Sequence, residues 1–201
     1  MKKVLLSLLM ALTIIIMPCV KADVDLPEIT DHEKVTVYLF RAETCGHCHD
    51  FLEYFAENYY KYQDYFEIVT YEVNKEGNYE LMQAAKEYMG NDDVGHVPYI
   101  LVGNSFEKLG FGTDGTEIIE EALAAYQDEN YEDVVQKIIE EEDLSVNPDS
   151  LEEACAELNY EVVGLNGEVP KNSLSDGVIV GIIFGVIILG FAVLVIFSRK
   201  K

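Results

Sequence analysis

Cys45-Gly46-His47-Cys48 lies at a junction that leaves this chain few ways to fold. Before it, Val35-Thr36-Val37-Tyr38-Leu39-Phe40 is apolar and rich in β-branched and aromatic residues, which reads as a buried strand. After it, Asp50 to Tyr60 reads as an amphipathic helix. Two cysteines separated by two residues can close a small disulfide. At a strand-to-helix turn the first sulfur also meets the free N–H groups and the positive dipole end of the helix, which stabilise a thiolate. The pattern points to thiol–disulfide exchange.

Downstream, Phe66–Val73 alternates as a strand, and Tyr79–Met89 reads as a helix stopped by Gly90. Val97–Val102 and Ser105–Phe111 flank Gly103-Asn104, the pattern of a hairpin with a two-residue turn. Thr113-Asp114 can cap a helix over Glu117–Tyr126. The order βαβαββα predicts a parallel strand pair with an antiparallel edge, built on one small core over about residues 34–127. Residues 128–176 are expected to be an acidic helical extension (128–143) and then a stalk, on the evidence of Asn147-Pro148 and Val169-Pro170.

The two ends read differently. Residues 1–22 have Lys2 and Lys3, an apolar run from Val4 to Met17, and Val20-Lys21-Ala22, the layout of a signal peptide cleaved near Asp23. Its apolar run is short for a membrane anchor, and Pro18 before Cys19 does not suit a lipidation site. Residues 177–197 include twenty uncharged residues, Val178–Phe197, followed by the basic tail 198–201. This is the pattern of a transmembrane helix with a cytoplasmic tail and an extracytoplasmic N-terminal domain. The expected location is the surface of a bacterium, or the endoplasmic reticulum with the same topology. Gly177, Gly181 and Gly185 offer a close-packing face for a homodimer.

All 37 acidic residues lie between the two apolar ends, with only eight of the 14 Lys and Arg. Such acidity excludes nucleic acid as a partner. Of four cysteines, Cys19 leaves with the signal peptide and Cys155 stands alone, so the chain is not a disulfide-stapled scaffold. Cys155, in Leu151–Leu158, reads as a small buried apolar residue, or else as a thiol that pairs with another chain or takes electrons from the CxxC pair.

Cys45-Gly46-His47-Cys48 resembles the active-site tetrapeptide of protein disulfide isomerases, in the thioredoxin superfamily. Val97-Pro98-Tyr99-Ile100-Leu101-Val102 resembles that family's cis-proline loop. The resemblance covers about half the chain and implies a minimal, glutaredoxin-like α/β domain. It implies Cys45 as nucleophile, Cys48 as the buried resolving thiol, and His47 as a residue favouring the thiolate. A potential near the isomerase range of about −180 mV is then expected. Val97 and cis-Pro98 would pair with an extended substrate. No cofactor is implied beyond the Cys45–Cys48 disulfide, and no metal. The implied partners are cysteine-containing exported proteins and a membrane or extracytoplasmic redox protein that resets the motif. The chain departs from the family in having Thr44 where Trp is usual and Leu39 where a buried acid is usual.

Three other readings use the same residues. Cys45-Gly46-His47-Cys48-His49 satisfies the attachment pattern of c-type haem. Cys45, Cys48, His49 and His96 are ligand types suited to zinc. The domain could also be a non-catalytic thioredoxin-like adaptor.

Overall fold

The computed structural model describes residues 24–30 and 32–164. The expected signal peptide and transmembrane helix lie outside these residues. Among the described residues no helix is long and apolar enough to cross a membrane.

Among the described residues five strands form one mixed sheet in the order β4-β3-β1-β2-β5. β1 (Val35–Arg41) and β2 (Phe66–Glu72) run parallel, from Val35 opposite Phe66 to Arg41 opposite Glu72. β3 (Tyr99–Val102) is antiparallel to β1, and β4 (Phe106–Leu109) is antiparallel to β3. Every residue of the central strand β1 is buried, because helices cover both faces of the sheet.

Alternation along the strands sorts the core into two layers. Val35, Val37 and Leu39 face α1 (Gly46–Asn58), α3 (Thr116–Gln127) and α5 (Leu151–Glu157). Tyr38 and Phe40 face α2 (Asn78–Met89) and α4 (Val134–Glu142). In α1 the buried side chains Phe51, Leu52, Phe55 and Ala56 recur at helical spacing and make one stripe. Phe51 meets Phe55 at 4.5 Å and Phe111, beyond β4, at 5.3 Å between ring centres.

The expected βαβαββα core is present, with two corrections. The hairpin turn has three residues, Gly103 to Ser105, because Val102 pairs with Phe106. Gly103 opens the turn at φ +50°, a left-handed conformation that glycine adopts without a steric penalty. The second correction concerns the stalk expected from 144. Its described part, up to residue 164, folds back onto the domain. β5 (Pro148–Ser150) pairs antiparallel with β2, and α5 packs its buried Leu151, Ala154 and Cys155 against the α1 side of the core. Ser150 and Glu153 close a capping box at the start of α5. The return path is tight: a Cβ at Gly77 would lie 1.8 Å from the Ser145 carbonyl oxygen. The sheet therefore has five strands, and the domain is larger than a minimal glutaredoxin-like layout.

Candidate redox site

β1 and β2 end, and β3 begins, at the same edge of the molecule. At that end β1 passes through a tight turn into α1, where Cys45 N donates to the Ala42 carbonyl at 3.0 Å. Cys45 is the N-cap of α1, with extended backbone (φ −88°, ψ 104°). Its carbonyl accepts from Cys48 N at 3.0 Å and His49 N at 3.1 Å, and its Sγ accepts from Cys48 N at 3.2 Å. A disulfide joins Cys45 to Cys48. Cys45 is half-buried and Cys48 is fully buried, so only the first sulfur is open to attack from solvent. On reduction, a thiolate at Cys45 would sit against the Cys48 N–H and the N-terminal end of the helix dipole.

Two groups with no such role legible in the sequence, Glu72 and His49, hold the turn before Cys45. The buried Glu72 carboxylate, across from Arg41, accepts from Glu43 N at 3.3 Å and from Asn74 N and Nδ2 at 2.7 Å each. His49 Nε2 lies 2.7 Å from the Glu43 carbonyl oxygen, which only accepts, so Nε2 carries a proton and donates. Turn and helix are thereby tied together. No signal in the sequence points to Glu72, since only the register of β2 opposite β1 brings it to this turn.

His47 stands at the surface, 71% exposed, with Nδ1 3.2 Å from an oxygen of Asp50. Any positive charge on this imidazole therefore has a carboxylate beside it. Leu39 is fully buried among apolar side chains, so the sheet offers no acid at that position.

The Val97–Pro98 peptide is cis, as the resemblance implies. Pro98 is buried just before Tyr99, which pairs with Phe40, so this loop enters the sheet at the end where Cys45 leaves it. The Pro98 carbonyl accepts from Gly110 N at 2.8 Å. Lys86 holds the loop from below. It is buried, its Nζ is 5.0 Å from the Tyr99 ring centre, and it donates to the His96 carbonyl at 3.3 Å and to Asp93 at 3.2 Å. His96 is 2.7 Å from Asp93, and the hydrogen bonds from His96 and Lys86 hold the Asp93 carboxyl below its usual range.

Cys155 lies under α1, its Sγ 3.7 Å from the Leu52 carbonyl oxygen, one helical turn past Cys48. Burial pushes its thiol up to about 12, with Arg41 acting the other way. This is the small buried residue of the first reading.

Among the described residues no group of three or more His, Cys, Asp or Glu could hold a metal ion, so Cys45, Cys48, His49 and His96 do not assemble a zinc site. Comparison of the chain with family models, with curated proteins and with solved structures finds no match. The protein is an α/β domain with a five-stranded mixed sheet and a Cys-X-X-Cys pair at a helix N-terminus. That architecture is compatible with a thioredoxin-like domain.

Proposed function

We propose that this chain is a membrane-anchored, extracytoplasmic thiol–disulfide oxidoreductase acting on cysteine-containing exported proteins. The observation that carries the reading is the asymmetry of the pair: Cys45 is half-exposed at the helix N-cap and Cys48 is buried behind it. In the reducing direction the Cys45 thiolate attacks a substrate disulfide, forms a mixed disulfide and releases one substrate thiolate. Cys48 then attacks Cys45 Sγ, closes the Cys45–Cys48 bond and releases the second substrate thiol. In the oxidising direction the same steps run backwards. Val97 and Pro98 present the strand entry beside which an extended substrate would lie. The redox-active disulfide is the only redox group the mechanism uses, and the anchor would place the domain beside exported chains and its resetting partner.

The test is the equilibrium potential of Cys45–Cys48 in the full chain, titrated against glutathione and read by thiol alkylation. The expected value is about −180 mV, in the isomerase range. A value near −270 mV would instead assign a reductase. A pair that does not titrate would sink the proposal. Cys48→Ser is expected to trap mixed disulfides that Cys45→Ser does not form. Visible absorption separates this reading from a c-type cytochrome, in which His49 would have to leave the Glu43 carbonyl to ligate iron.

A further inference from the structure

The exposed charges at the redox end of the sheet bear on the kind of substrate it suits. Four exposed carboxylates surround that end: Glu43 in the turn before Cys45, Asp50 in α1, and Glu76 and Glu80 around the start of α2. Asn78 Nδ2 fastens α2 to the Glu72 carbonyl, so Glu76 and Glu80 stay beside the end of β2. Among the described residues no lysine or arginine pairs with any of the four.

The cations at this end already have partners. Arg41 is buried between Asp149 and Glu157, Lys75 meets Asp149 at 2.7 Å, and Lys86 is buried against Asp93. The two described lysines outside ion pairs, Lys34 and Lys61, precede β1 and follow α1, so both lie at the opposite end. The redox end thus presents a negative field to whatever approaches Cys45.

Exposed apolar groups lie at the same end. Tyr79 is 38% exposed and Leu109 40%. Tyr79 borders the loop before Pro98, since a Cβ at Gly95 would lie 3.6 Å from its hydroxyl. Leu109 is opposite Tyr99, the first residue after Pro98.

We propose that this surface selects extended cysteine-containing segments with apolar residues and lysine or arginine near the cysteine. The inference rests on the redox reading above. Apolar contact with Tyr79 and Leu109 is non-directional and holds the segment. The carboxylates draw cationic segments in and slow anionic ones.

In the test, the full chain is held in a neutral detergent with Cys45 and Cys48 reduced. It is mixed with two synthetic peptides, each closing one internal disulfide around the same apolar residues. One peptide is flanked by lysines and the other by glutamates. The disulfide of 2-mercaptoethanol, neutral and small, serves as the reference. Acid-quenched peptide thiols are counted by mass spectrometry. The lysine peptide is expected to react at least about tenfold faster than the glutamate peptide at low ionic strength, with the ratio shrinking in 0.5 M salt as charges are screened. The double variant Glu76→Lys, Glu80→Lys is expected to lower the ratio at least about threefold. A ratio near one at low salt, or one the double variant leaves unchanged, overturns the inference while the reference reaction preserves the redox reading. No reaction with the neutral disulfide overturns both.

Discussion

Cys45 and Cys155 carry the same thiol, and their surroundings give it opposite chemistry. Cys45 caps a helix at the surface, where N–H groups and the dipole favour the thiolate. Cys155 is fully buried beneath that helix, and burial pushes its thiol up to about 12. A thiol is unreactive until it deprotonates, so at pH 8 Cys155 is neutral as well as shielded. In the reduced, folded protein iodoacetamide is expected to modify Cys45 at least about a hundredfold faster than Cys155. Peptide mapping after timed quenching reads the ratio, and in denaturant the two should converge. Comparable rates in the folded protein would place Cys155 outside the core.

At the scale of elements, one buried guanidinium adds to the strand pairing and apolar packing that hold the β5–α5 segment on the domain. Arg41 ends the central strand, with Nε donating to Thr70 and Nη2 to Asp149 in β5 and Glu157 in α5. Lys75 extends the cluster through the same Asp149. Arg41→Leu keeps apolar bulk but removes the charge the two carboxylates face. The expected loss is about 2 kcal/mol, less than for a fully buried pair, because Glu157 is half exposed and Asp149 keeps Lys75. Urea denaturation measures the loss. Hydrogen exchange should show the amides of α5 opening before those of β1 and β2. Unchanged stability and uniform protection would mean that apolar packing of α5 alone holds the segment.

The whole molecule is dense in buried phenols, and this sets its tolerance of alkali. Burial pushes Tyr59, Tyr71 and Tyr131 up to about 12. It also raises Tyr38 and Tyr99, which donate to Asp133 and Glu107. An unfolded tyrosine ionises near 10, so in this window the unfolded chain releases protons first. The stability these groups contribute is complete below about pH 10 and lost as pH climbs through 12. The urea midpoint is expected to hold from pH 7 to 9 and fall steeply above 10, with tyrosinate absorbance lagging until the chain unfolds. A midpoint indifferent to pH between 10 and 12 would contradict this.

What the sequence by itself determined is the part of the molecule made by neighbours along the chain. The strand, the Cys45-Gly46-His47-Cys48 cap, the following helix and the hairpin after Pro98 each rest on periodicity, capping or a proline, signals contained within a few residues. Hence the cysteine pair was legible before any fold was known, whereas the cis bond at Pro98 was expected only from the family resemblance. Tertiary structure alone decided the rest. Pro148-Asp149-Ser150 has no strand signal and pairs with β2 from nearly eighty residues away. The short α5 gains its stability from burying Leu151, Ala154 and Cys155 rather than from propensity. Glu72 and Lys86 look like any surface charge in the sequence, and become supports of the site only because register and packing bury them beside unpaired N–H and carbonyl groups. The uncompensated carboxylates at the redox end follow for the same reason, since composition counts ions while only the fold decides which of them meet.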